Sequence, residues 1–155
     1  MNNKILTIVL FLLFPIMIFA QTAAEVDVLL ETDEVSAAVA AYFALGSAGL
    51  LPLGFSGAEG QAVAYDTALS NGWIKAAAND SITMQETAFL IMKAFDLKGG
   101  VIYKFFPSPR YAYREMIYHR IIQGRSYSNM KVSGIELLRI IDRTFNYSGS
   151  DGELE

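Results

Sequence analysis

The chain has 155 residues, no cysteine, and a formal net charge of −4 at pH 7. Without cysteine the chain has no disulfide bonds, no thiolate metal sites and no lipid anchor of the bacterial lipoprotein type, which is attached to a cysteine at the cleavage site. Hydrophobic residues make up 53% of the sequence. This content excludes an intrinsically disordered chain and suits one domain with one core.

The first twenty residues have the three parts of a secretory signal peptide. Lys4 provides the basic start, an apolar run continues to Ala20, and a polar stretch follows. The apolar run is shorter than the roughly 18–20 residues that span a bilayer, and Pro15 interrupts it. We therefore predict a signal peptide at residues 1–20, with cleavage after Ala20 or after Ala24. The protein is then exported to the periplasm or cell envelope, and it contacts the membrane only through this peptide before cleavage.

Three segments of the chain share a pattern that predicts the start of a helix. Each has a β-branched residue, then Ser or Thr, then apolar residues at helical spacing. The β-branched residues are Val35, Ile82 and Val132. The N-cap residues that follow them are Ser36, Thr83 and Ser133. Glu86 and Glu136 stand three residues after the second and third caps, which predicts a capping box at each.

A second helix precedes the cap in two of the three segments. The sequence around Tyr65 matches that around Tyr113, and the distance to the following cap is slightly longer in the last unit, which indicates a small loop insertion. The repeat period of about 47–50 residues lies in the range of repeat architectures. We predict an all-α, compact helical repeat domain over residues 25–147, with two full helix–turn–helix units and a degenerate first unit that lacks an obvious first helix. In that first unit, residues 26–33 are expected to form either one or two turns of helix or an extended arm. Residues 148–155 are predicted to form a disordered tail.

The repeated unit resembles the S-layer homology (SLH) domain. The shared features are a helix, a turn with the apolar pair Ile121-Ile122 followed by Gln-Gly, and a Ser- or Thr-capped helix with Glu three residues on. The resemblance extends to small secreted envelope proteins of spirochaetes. It implies a pseudo-threefold helical fold that attaches to anionic cell-wall polymers. The family's helix start usually reads Thr-Arg-Ala-Glu, and its Arg helps to bind the polymer. The residues at the Arg position in this chain are Ala37, Met84 and Gly134.

Charge is distributed unevenly along the chain. Residues 21–71 include acidic residues and no Lys or Arg, whereas residues 98–143 are rich in Arg, Lys and Tyr. Arginine binds carboxylate or phosphate through its planar fork, and tyrosine rings stack on sugars. We therefore predict a binding site for an anionic polymer or a protein partner. Its residues are Arg110, Tyr111, Arg114, Arg120 and Arg125. One alternative is that the acidic and basic halves neutralise each other within the fold. Another is that the tyrosines form an edge of the core and the arginines are merely solvated.

Few features of the sequence favour catalysis. His119 is the one histidine, and no Gly-x-Ser-x-Gly element accompanies it. We predict no catalytic residues, no metal site and no cofactor. Basic and aromatic interleaving also suits nucleic acid, but export argues against that partner.

The predicted function is a non-catalytic, secreted cell-envelope module that binds a cell-wall polymer. The alternative is a helical protein–protein interaction subunit of a periplasmic or outer-membrane assembly, with an envelope protein as its partner. A third hypothesis is a small hydrolase that depends on His119.

Overall fold

The computed structural model describes residues 23–52 and 54–151, and these residues form an all-α structure, as the sequence predicts. The helices in these ranges are α1 (residues 23–30), α2 (Ala37–Ser47), α3 (Gly57–Ser70), α4 (Met84–Ala94), α5 (Val101–Phe105), α6 (Pro109–Tyr118) and α7 (Gly134–Asp151). None of the helices in the described ranges is both long enough and apolar enough to cross a membrane. The predicted signal peptide, residues 1–20, lies outside the described residues.

The three predicted N-caps are present. The backbone N–H of Val39 donates to Ser36 Oγ at 3.4 Å, and that of Glu136 donates to Ser133 Oγ at 3.3 Å. At Thr83 the capping box is complete, because the Glu86 N–H donates to the threonine hydroxyl and the Thr83 N–H donates to Glu86 Oε2 at 3.0 Å. These bonds satisfy N–H groups that have no partner inside the helix.

The residues that precede the three caps are joined in a cycle of backbone hydrogen bonds. The N–H of Val35 donates to the carbonyl of Val132 at 2.8 Å, the N–H of Val132 to that of Ile82 at 3.3 Å, and the N–H of Ile82 to that of Val35 at 2.9 Å. All three residues are fully buried. The starts of α2, α4 and α7 therefore meet at one point in the core.

The first N–H of each capped helix is bonded to a different segment of the chain. Ala37 donates to the carbonyl of Asp80 at 2.9 Å, and Met84 donates to that of Met130 at 2.8 Å. Gly134 closes the series by donating to the carbonyl of Thr32 at 2.9 Å. Each capped helix is thus held by the loop that leads into another capped helix.

The remaining helices pack on the outside of this centre. Helix α3 lies against α2, α6 lies against α4, and α1 contacts the start of α7 through the backbone of Leu29. Tyr65 of α3 donates its hydroxyl proton to the carbonyl of Ala76 at 2.9 Å, and Tyr113 of α6 donates to that of Ser126 at 3.0 Å. These equivalent bonds fix the turns that follow α3 and α6.

The structure decides between the two alternatives for the first segment, because residues 23–30 form a short helix, α1, and not an extended arm. One detail of the sequence prediction is corrected. Helix α7 continues through residues 148–151, which were assigned to the disordered tail. Adding a turn to an existing helix costs far less than nucleating one, so a polar sequence can extend it. Residues 152–155 lie outside the described part of the chain.

Candidate functional site

Two of the predicted site residues, Arg110 and Arg114, stand one turn apart on α6, and both are exposed. The helix begins after Ser108, whose hydroxyl accepts the N–H of Tyr111 at 3.5 Å, and Pro109 occupies the first helical position. Proline is favoured there because the first N–H of a helix has no internal partner. The side chain of Tyr111 is half-buried and packs against the core. Its contact with the core holds α6 in place, and only part of its ring is accessible to a ligand.

The other two arginines lie beyond the end of α6. Arg120 has a left-handed backbone (φ 58°), and its carbonyl accepts a bond from the side chain of Gln123 at 2.6 Å. Arg125 is exposed in the loop that follows. A helix of ten residues is about 15 Å long, so Arg110 and Arg120 stand at opposite ends of α6. The structure therefore spreads the predicted residues along one element and its loop.

The predicted loop insertion is the part of the chain that holds Arg125. The separation from the helix tyrosine to its carbonyl acceptor is 11 residues for Tyr65 and 13 for Tyr113. The two extra residues follow the apolar pair Ile121-Ile122. They lengthen an exposed turn in which Gly124 has a φ of 85°.

The side chains of Arg110, Arg114, Arg120 and Arg125 form no hydrogen bond or ion pair with any other residue that the structure describes. Within the described ranges, one contact joins a basic side chain to a carboxylate: His119 Nε2 lies 3.8 Å from Glu115 Oε2, and this histidine is charged only when protonated. Direct ion pairing between the acidic and basic halves is thus absent from the described residues. These four guanidinium groups are available to an external anion.

A small cleft beside α7 contains two arginines that the sequence analysis did not select. Arg139 and Arg143 line it together with Gln123 and Glu136, and its volume is about 60 Å³. Arg143 also donates to the carbonyl of Ile121 at 3.2 Å. Burial raises the pKa of Glu136, and the charge of Arg139 opposes that shift. Glu136, Arg139 and Arg143 are three and four residues apart along α7, and this spacing predicts from sequence alone that they share one face of the helix.

Larger clefts flank Glu25 in the acidic half, with volumes of about 390 and 470 Å³. The Glu25 carboxylate accepts the hydroxyl proton of Tyr42 and the backbone N–H of Gly57, each at 2.8 Å. Burial, with a smaller effect of Glu25, raises the pKa of Tyr42 to about 12. The clefts are lined mostly by apolar residues, including Val28 and Phe43. Sequence reasoning missed them because they form only where α1 lies beside α2 and the loop before α3.

The three positions that correspond to the arginine of SLH domains are buried in this fold. Ala37, Met84 and Gly134 are the first residues of α2, α4 and α7, and all three are buried. A Cβ atom added to Gly134 would overlap the carbonyl oxygen of Leu29. An arginine at that position would have no room, so any polymer contact uses other residues.

His119 follows the end of α6 and is surrounded by aromatic rings. Its ring centre is 4.7 Å from that of Tyr147 and 5.0 Å from that of Tyr118. The nearby Glu115 carboxylate accepts the N–H of Gly100 at 3.0 Å. The cleft at this position holds only about 10 Å³. Among the residues described, no group of three or more His, Asp or Glu side chains is placed to hold a metal ion.

Comparison of the chain with family models, curated proteins and solved structures found no match. The resemblance to SLH domains therefore depends on the motifs quoted above.

Proposed function

We propose that the protein is an exported, non-catalytic module of the cell envelope that binds an anionic cell-wall polymer through α6 and the loop after it. One observation carries the proposal: four exposed arginines lack a partner among the described residues. A guanidinium group that is free of internal carboxylates can bind phosphate or carboxylate groups of a ligand bidentately.

The spacing of these arginines suits an extended polyanion better than a small ligand. Arg110 and Arg114 are one helical turn apart, and Arg120 lies about 15 Å along the same axis. A polymer with repeated charges can contact separated cations in succession, and each added contact benefits from the high local concentration set by the first. No enclosed pocket is needed for this mode of binding.

The centre of the fold also supports the proposal. The resemblance to SLH domains implies three units around a pseudo-threefold axis, and the hydrogen-bond cycle of Val35, Ile82 and Val132 has that form. Because the family's arginine positions are closed here, we assign polymer binding to the exposed face of α6. Export is part of the same proposal. It is tested by cell fractionation and by the N-terminal sequence of the envelope-associated protein, which we expect to begin after Ala20 or Ala24.

Binding is tested by co-sedimentation of the exported protein with purified cell wall at low and high salt. We expect binding at low salt that weakens as salt screens the arginines. Arg114→Ser should bind less, whereas Lys75→Ser, which removes an exposed charge outside the basic face, should bind like the parent. Absence of wall binding at low salt would refute the polymer proposal.

A second candidate function is a helical protein–protein interaction subunit of an envelope assembly. The apolar clefts on either side of Glu25 favour it, because apolar surface of this kind marks many interaction sites. A photo-cross-linking residue in place of Val28, which lines one cleft, should capture one defined protein in cells. A cross-link pattern without a dominant partner would count against this candidate.

A further inference from the structure

Helix α5 and the residue that follows it, Phe106, present large apolar side chains to solvent. Val101 is 73% exposed, Ile102 52%, Phe105 71% and Phe106 69%. We call this set the α5 prong. Monomeric proteins rarely leave a contiguous apolar patch of several hundred Å² exposed without a function for it. Two adjacent phenylalanines at the tip make the patch unusually costly to keep in water.

The prong is held in place by contacts on its opposite side. Tyr103 is only 6% exposed, its ring lies 6.4 Å from that of Phe89, and Lys93 Nζ lies over both rings. The N–H of Gly100, just before α5, donates to Glu115 Oε2 at 3.0 Å. Because Tyr103 packs on α4 and the start of α5 is bonded to α6, the face of α5 opposite Tyr103 carries the four exposed apolar side chains.

Basic residues flank the α5 prong along the chain. Lys98, Lys104 and Arg110 are exposed, and residues 97–114 include no acidic residue. The carboxylate at the start of α5, Glu115, is bonded to the N–H of Gly100. Basic residues next to a bilayer are attracted to anionic headgroups, and apolar side chains flanked by bases insert into the headgroup–acyl boundary. The combination of an apolar tip and a basic surround is the chemistry of an anionic membrane surface.

We infer that the α5 prong docks on an anionic lipid bilayer, with Phe105 and Phe106 inserted and Lys98, Lys104 and Arg110 at the headgroups. Its small size and the flanking basic residues favour a bilayer over a protein. The prong consists of four exposed apolar side chains, whereas each partner in a stable protein complex buries about 800 Å². The inference adds a membrane contact that the sequence analysis did not predict, since it confined such contact to the signal peptide. It goes beyond the proposed function and depends only on its claim of export.

The test is co-sedimentation of the exported protein with vesicles. One set contains phosphatidylcholine alone, and the other contains about 30% phosphatidylglycerol to supply negative charge. We expect binding to the anionic vesicles at low salt and weaker binding to the neutral ones. Phe105→Ser/Phe106→Ser should lower the partition coefficient about tenfold or more, because the inserted rings supply the apolar part of binding. Leu69→Ser removes an exposed apolar side chain on α3 and should bind like the parent.

A second measurement covers the case in which the double variant is unstable. In Phe106→Trp, tryptophan emission should shift to shorter wavelength when anionic vesicles are added. An unshifted emission, or equal binding by the parent and a folded double variant, would overturn the inference. The inference would also be overturned if the protein failed to bind vesicles and instead formed dimers that require the two phenylalanines. The prong would then be a contact with a second copy of the chain. Wall binding by the double variant should stay unchanged, so failure of this inference and failure of the polymer proposal are distinguishable.

Discussion

The backbone N–H of Val35 donates a hydrogen bond of 2.8 Å to the carbonyl of Val132. These two residues precede the first and the last of the three capped helices, so the bond joins the starts of α2 and α7. Ile82 completes the cycle from the middle of the chain. Because each contact closes a long loop, we expect the three helix starts to form together in one cooperative transition.

The first prediction concerns the packing at this centre. Val35→Ala removes two methyl groups from a fully buried position, so the free energy of unfolding should fall by about 2 kcal/mol. Val28→Ala is the matched control, because Val28 is 68% exposed and its loss should change stability by less than about 0.5 kcal/mol. Urea denaturation of both variants measures the difference. Equal effects of the two changes would contradict the buried cycle.

The second prediction concerns the contact between α1 and α7. Gly134→Ala places a methyl group against the carbonyl of Leu29, and backbone at both positions must move. We expect a loss of about 3 kcal/mol or more, or failure to fold. Gly149→Ala, in the same helix with open space around it, should be neutral or slightly stabilising. Thermal unfolding followed by circular dichroism compares them, and a tolerated alanine at 134 would show that α1 does not hold this position.

The third prediction concerns the buried hydroxyl group of Tyr103. Tyr103 Oη is buried without a hydrogen bond among the described residues. Leaving such a group unsatisfied costs about 1–3 kcal/mol, so Tyr103→Phe should raise the free energy of unfolding by about 1 kcal/mol. Tyr65→Phe loses the bond to the carbonyl of Ala76 and should lower it by about 1 kcal/mol. Chemical denaturation at pH 7 gives both values. The same sign for both variants would be inconsistent with this assignment.

The fourth prediction concerns alkaline pH. Burial, aided by Glu25, raises the pKa of Tyr42 from 10.0 to about 12. Between these values the unfolded chain releases the phenolic proton while the folded chain keeps it, so stability decreases as pH rises. The contribution is fully present below pH 10 and is lost by about pH 12. Tyr103, whose pKa burial raises to about 12, acts with the same sign.

We therefore measure the free energy of unfolding between pH 10 and pH 12. Its decrease with pH should be smaller in Tyr42→Phe than in the parent, and smallest in Tyr42→Phe/Tyr103→Phe. An identical slope in the parent and the double variant would mean that the two hydroxyls do not control alkaline stability.

The amino-acid sequence alone determined the local features of this protein. The caps at Ser36, Thr83 and Ser133 were predictable because an N-cap depends on a few neighbouring residues and their own backbone. The apolar periodicity after each cap predicted α2, α4 and α7. The shifted spacing around Tyr113 predicted the loop insertion that holds Arg125. These signals lie within one helical turn or one loop, so no distant contact alters them.

Tertiary structure decided everything that joins distant segments. The sequence does not show that Val35 bonds to Val132, because every residue except proline has the same backbone N–H and its identity does not specify the acceptor. It does not show that Gly134 is closed by Leu29. It also does not show how far Phe105 and Phe106 are exposed, since an apolar residue has the same identity whether it faces inward or outward. Their exposure follows from the anchoring of Tyr103 on the other side of α5, and that orientation exists only once α4 and α6 are packed together.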